Sequence, residues 1–119
     1  MLFQVKNYKR TKLDIVGEIY NHIIGRYQQA NKQCRVIKSD VAYIVDDFLE
    51  EMKASMVGLK TVELRGFGTF QVKKRAGKKN SRNPRSGELV ETVDHYVPVF
   101  KPGVDLKDAV RGLDKDKGV

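Results

Sequence analysis

Apolar residues recur along the first half of the chain at helical spacing. In TKLDIVGEIYNHIIGRY they fall at Leu13, Val16, Tyr20, Ile23, Ile24 and Tyr27, one face of a helix. Thr11 stands where a cap belongs, with Asp14 three residues on, close to a capping box. Asp14 also suits the positive end of the helix dipole. Gly25 and the polar run QQANKQ predict an end near Arg26 and then a loop. A second set follows at Val41, Ile44, Val45, Phe48, Leu49, Met52 and Met56, and predicts an amphipathic helix over 39–57. Asp40, Asp46, Asp47, Glu50 and Glu51 line its polar side, and Gly58 marks its stop.

The period then changes to two. Val62, Leu64, Gly66, Gly68, Phe70 and Val72 share one parity and predict a strand, or two strands broken at the glycines. A further strand-like run, LVETVDHYVPVF, covers 89–100. Between them Asn83-Pro84-Arg85-Ser86-Gly87 is turn sequence, with proline pre-setting its backbone angle. Strand, turn and strand predict a hairpin with a long protruding end. Val104, Leu106, Ala109 and Val110 predict a short helix that begins near Pro102-Gly103 and stops at Gly112. Helices followed by strands place the chain in the α+β class. Its 119 residues make one domain with a modest core.

Charge changes this picture. The formal net charge is +8, from 23 basic and 15 acidic residues. Lys73, Lys74, Arg75, Lys78, Lys79, Arg82 and Arg85 fall in one acid-free stretch, 73–87. Without these seven, 16 basic residues face 15 acidic ones. The excess is therefore local, and a charge block of this kind is a surface for an acidic partner, most often nucleic acid. The arm has few large apolar residues and no core of its own, so it is expected to order on that partner. Extended, 72–84 reaches about 40 Å at roughly 3.3 Å per residue, long enough to follow a groove around a duplex. Lysine and arginine there would neutralise phosphates and release counterions.

Other chemistry is excluded in turn. One cysteine, Cys34, permits no internal disulfide and no cysteine zinc site, and a reducing compartment fits. His22 and His95 lack metal-ligand spacing. No apolar run spans a bilayer, and the start lacks the long apolar region of a secretory signal, so a cytoplasmic protein is expected. Gly66-Phe67-Gly68 lacks the third glycine of a dinucleotide fingerprint, and GKKNS lacks the pattern of a phosphate-cradling loop. No serine, cysteine or histidine has a catalytic partner in view, and nothing argues for an enzyme, a metal or a cofactor. Pro84 has two readings: a turn former at the arm's tip, or an apolar wedge that enters between base pairs and kinks DNA.

GFGTFQVKKR (66–75), SRNPRSGE (81–88) and VPVFKPGVDLKDAV (97–110) together resemble the bacterial histone-like HU and integration host factor family, closest to HU. The resemblance runs in order from about Thr11 to Val110. It implies a helical dimerisation body with a three-stranded antiparallel sheet, a long β-hairpin DNA-binding arm at about 73–96 and a short C-terminal helix, in an intertwined homodimer. It implies an architectural protein of the bacterial nucleoid that binds duplex DNA in the minor groove with low sequence specificity and favours bent or distorted DNA. Arg82 and Asn83 match the tip residues that meet the groove, and Pro84 matches the intercalating proline. Lys73, Lys74, Arg75, Lys78, Lys79 and Arg85 match the arm, and Lys101 and Lys107 the surface that meets phosphates. Phe48, Phe67, Phe70 and Phe100 match core or dimer-interface positions. Residues 1–10 form a basic extension, the loop GRYQQANKQCRVIK is longer than usual, the arm between Val72 and Arg82 is one residue longer, and 113–119 form an added tail expected to be flexible.

Three other readings compete. A basic hairpin also suits an RNA-binding or ribosome-associated protein. A polybasic patch on an acidic membrane is a second alternative, though 73–87 has no aromatic or long aliphatic face to insert. Within the family, a site-specific heterodimer subunit is the third.

Overall fold

The structure, a computed structural model, describes residues 9–78, 81–91 and 93–117. The basic extension expected over 1–10 therefore lies almost wholly outside the described residues, as does Lys79. Two compact units divide the chain, Met1–Glu51 and Met52–Val119.

In the first unit, helix α1 (Lys12–Gln29) starts as the sequence predicts. The Asp14 amide donates to Thr11 Oγ1 at 3.4 Å, and Asp14 Oδ2 accepts from the Thr11 amide at 2.9 Å. Both halves of the capping box are made. These hydrogen bonds, from the Thr11 backbone first and its hydroxyl second, hold the Asp14 carboxyl below its ordinary value of 3.8. The helix runs one turn further than Gly25 suggests. A lone glycine weakens a helix without ending it; a residue in the left-handed region is a common way to end one. That residue is Asn31 (φ 56), and the Asn31 and Lys32 amides donate to the carbonyls of Gln28 and Tyr27.

Helix α2 (Lys38–Val57) ends by the same device. Leu59 (φ 59) takes the left-handed place, and the Leu59 and Lys60 amides donate to Met56 and Ser55. The helix ends at Val57, immediately before Gly58, where the sequence places its stop, and the left-handed residue is the next one along. Val16 on α1 and Val41 on α2, each 2% exposed, are the buried hydrophobics among the described residues. Lys12 pairs with Asp46, and the Lys38 ammonium lies 3.8 Å from where a Cβ on Gly17 would stand. These two contacts tie the first turns of α1 to α2.

The second unit is built on a sheet of order β1-β2-β5, wholly antiparallel. Strand β1 is Val62–Leu64, β2 is Gly68–Arg75 and β5 is His95–Pro102. The break between β1 and β2 falls at Arg65-Gly66-Phe67. There the Phe67 amide closes a turn onto the Leu64 carbonyl at 2.9 Å, and Gly66 supplies φ 84. Gly68 has no room for a side chain: a Cβ would stand 2.5 Å from Phe100 and 2.6 Å from the Lys101 carbonyl. After β5 the Gly103 amide bonds to Phe67 O, and helix α3 (Val104–Lys117) follows. The sequence places the stop of this helix at Gly112. The helix instead continues through Gly112 to Lys117, because Gly112 is not among the glycines with positive φ.

Two expected outcomes follow from this packing. Gly68→Ala should lose about 1–3 kcal/mol in a denaturant titration, since an extra methyl must displace Phe100 or backbone. Asp14→Asn should be less stable than the natural protein above pH 3.8, and the gap should close as pH falls below it. The folded-state value is depressed, so the charged carboxylate stabilises only while ionised. Thermal melts over an acid pH series check this, and a constant gap would refute it.

Candidate nucleic-acid interface

Alternation on paired strands decides which side chains share a face. In β2–β5 the register sets Phe70 opposite Phe100, Val72 opposite Pro98, and Lys74 opposite Tyr96. The other face carries Thr69 opposite Lys101, Lys73 opposite Val97, and Arg75 opposite His95. One face is thus apolar near the body. The other gathers Lys73, Arg75 and Lys101. Lys74, which the sequence grouped with its neighbours, points to the opposite side.

The apolar face holds the ring cluster. Phe70 and Phe100 have centroids 4.7 Å apart, and Phe67 stands 5.4 Å from Phe100 and 6.4 Å from Phe70. Beside it lies a concavity of about 420 Å³ lined by Lys53, Met56, Val57, Val72, Tyr96 and Pro98 with Val97. Phe48 belongs to the other unit, on α2, and is 49% exposed.

On the basic face Lys73 and Lys101 lie close enough to repel. The Lys101 charge, with some desolvation, holds the Lys73 ammonium below its ordinary value of 10.5, and Arg75 adds to the effect. Like charges held together on a folded surface oppose folding and favour an anion between them. Lys107 is exposed on the first turns of α3, and its amide donates to the Gly103 carbonyl at 2.9 Å.

Beyond Arg75 the ladder breaks. Body pairs such as Arg75↔His95 give way to tip pairs Ser81↔Val90 and Arg82↔Leu89, between β3 (Ser81–Arg82) and β4 (Leu89–Val90). Residues 76–80 bridge the gap on one side and 91–94 on the other, five against four. The odd residue forbids a continuous register, as in a bulge. Asp94, which the sequence pattern does not single out, fills the break: its Oδ1 accepts from the Gly77 amide at 2.7 Å. An acid on the segment that returns past the basic stretch was the available signal. Lys78 is exposed in the same break.

The tip is a closed structure. The Asn83 amide donates to Glu88 O and the Gly87 amide to Asn83 O, each at 2.8 Å, with Gly87 at φ 71. Asn83 Oδ1 accepts from the Arg85 amide at 2.9 Å, so the side chain spans Pro84. Ser86 Oγ accepts from the Glu88 amide. Arg82 Nη1 donates to Gly87 O at 3.1 Å and ties one side of the loop to the other. Pro84 and Arg85 are left exposed at the crown.

A basic two-stranded ribbon closed by a turn with an exposed proline has the form of the β-ribbon class of nucleic-acid readers. The family described as bacterial DNA-binding protein matches residues 10–111, and the chain belongs to that family, the histone-like HU proteins. These are structural DNA-binding proteins rather than an enzyme family. Two solved structures share the fold. An Anabaena HU–DNA cocrystal structure matches with a TM-score of 0.66 at 24% identity, over 85% of this chain and 97% of that one. An HU mutant from Thermotoga maritima matches with a TM-score of 0.51 at 24% identity, over 85% and 99%.

The like-charge pair yields an expected outcome. In Lys101→Ala the Lys73 ammonium should titrate closer to 10.5, read by NMR of its side chain. The folded value is depressed, so the pair opposes folding near neutral pH and the effect fades as pH rises through that value. The variant should therefore melt higher than the natural protein at neutral pH and low salt, and the difference should shrink in high salt. A lower melting point would refute the repulsion.

Proposed function

We propose that the protein is an architectural DNA-bending homodimer. Each arm follows the minor groove of duplex DNA with little base preference, and Pro84 enters between base pairs at the crown. The observation that carries this reading is the tip. Arg82, Asn83 and Gly87 close the loop by hydrogen bonds among themselves and leave the Pro84 ring exposed. A proline kept only to form a turn needs no such bracing. An apolar ring held out on a basic stalk suits a wedge, whose unstacking cost of a few kcal/mol per step is offset by wrapped phosphate contacts.

Lys73, Arg75 and Lys101 on one face would take phosphates, with Lys107 beside them. Lys78, Lys79 and Arg85 would extend the contact along the arm, and Lys74 would meet the opposite strand or solvent. DNA already bent, nicked or gapped should bind better, because less deformation must be supplied. The Anabaena relative is an HU–DNA complex, which favours DNA over RNA as partner. A place on the nucleoid follows from that partner.

Homodimerisation is supported by how little of the chain's apolar surface is buried. Ile44 is 66% exposed, Leu49 48% and Phe67 45%, and the groove beside Val72 and Pro98 is apolar. A monomeric domain rarely leaves this much apolar surface contiguous with solvent. A second copy covering these faces is the simplest cover, and would make Phe48, Phe67, Phe70 and Phe100 interface residues.

Pro84→Ala should bind pre-kinked DNA nearly as well as the natural protein and bend a linear duplex less. Energy transfer between dyes on the two DNA ends reads the bend, and equal shortening by both proteins would sink the wedge. Salt-sensitive binding with no shortening in the natural protein would instead leave a basic coating protein and bring RNA forward.

A further inference from the structure

The charge count over the whole chain hides a second basic region, far from the arm in sequence. From Ile19 to Ser39 there is no aspartate or glutamate, and Arg26, Lys32, Arg35 and Lys38 all fall there. The acids of the first unit stand before this run, at Asp14 and Glu18, or after it, from Asp40 onward.

The fold turns this run into a surface. Lys38, the first residue of α2, brings its ammonium to Gly17, and α1 continues beyond that point to Gln29. Twelve residues at 1.5 Å each make a spur of roughly 18 Å. The left-handed turn at Asn31 then folds Lys32 back over the last turn of α1. Arg26 and Lys32 thereby border one concavity of about 270 Å³, with Tyr27 and Ala30 as the other lining residues. Arg35 is exposed between the partly buried Cys34 and Val36, so it too faces outward.

A simpler role explains only part of this. Arg26 in the last turn suits the negative end of the α1 dipole. Yet the carbonyls of Arg26, Tyr27 and Gln28 already accept from Ala30, Lys32 and Asn31 amides. Among the described residues no carboxylate pairs with Arg26, Lys32 or Arg35. Uncompensated cations within about 10 Å of one another, the screening length at 0.1 M salt, sum into one attractive field.

We propose that this spur is a second phosphate-binding surface, separate from the arm, which takes the backbone of duplex DNA. Arg26 and Lys32 hold one phosphate across the concavity, and Arg35 meets a neighbouring one. The contact is to phosphate, so it adds affinity without reading sequence. The inference rests on the DNA-binding reading above but not on the bending.

The test is the salt dependence of binding to a linear duplex. The natural protein is compared with a triple variant, Arg26→Gln, Lys32→Gln and Arg35→Gln. A control, Lys60→Gln, Arg65→Gln and Arg111→Gln, removes the same charge elsewhere. Each lost phosphate contact should lower the slope of log affinity against log salt by about 0.9, so the triple variant, which loses two phosphates, should fall by about 1.8 for each copy seated on the duplex and the control by much less. The charge-conserving pair Arg26→Lys and Lys32→Arg should keep the natural slope, which separates lost charge from lost folding. Equal slopes for triple variant and control would overturn the proposal, as would an acidic protein rather than DNA protecting Arg26 and Lys32 from chemical modification. If the natural protein itself shows no salt-dependent duplex binding, the DNA-binding reading fails with it.

Discussion

The pairing of β2 with β5 is the constraint on which the second unit depends. Eight residue pairs in one register place Phe70 and Phe100 on one face and Lys73, Arg75 and Lys101 on the other. A shift of one residue would exchange the faces and bring Lys73 and Lys101 against the rings. Gly68 protects that register at the body end, where only a hydrogen fits against Phe100. At the far end the register is deliberately lost, and five residues against four let the tip pair on its own terms. A single hairpin therefore serves two tasks: a rigid sheet near the body and a separately closed crown.

Electrostatics and packing pull in different directions on this sheet. The apolar face gains from burial, whereas the basic face carries the Lys73–Lys101 repulsion. A surface selected only for stability would not keep two lysines so placed. Such local frustration is expected where a surface waits for an oppositely charged partner. The tip shows the complementary device. There Arg82 and Asn83 spend their hydrogen bonds on the loop itself, so the crown is formed before any partner arrives.

The capping box, the two amphipathic stripes and the change of period at Val62 were all legible, because each rests on neighbours within a few residues. So was the exposed tip turn. Helix ends were less so. Gly58 marked the end of α2, but α1 runs past Gly25 and α3 through Gly112, and the reversing residues after α1 and α2 are Asn31 and Leu59. Those outcomes depend on where the chain must go next. The family itself was legible in three short motifs, because a close turn, a proline crown and a strand-to-helix corner each demand particular residues.

What the sequence determined by itself is local chemistry: where helices begin, where strands alternate, and that charge concentrates between 73 and 87. Tertiary structure decided which charges act together. Lys74 and Lys73 are adjacent in the chain yet on opposite faces, while Lys73 and Lys101, far apart in the chain, repel. Arg26 and Lys32 meet around one concavity only because Asn31 reverses the chain. Charge interacts through space, and spacing along the chain fixes distance only within a single regular element.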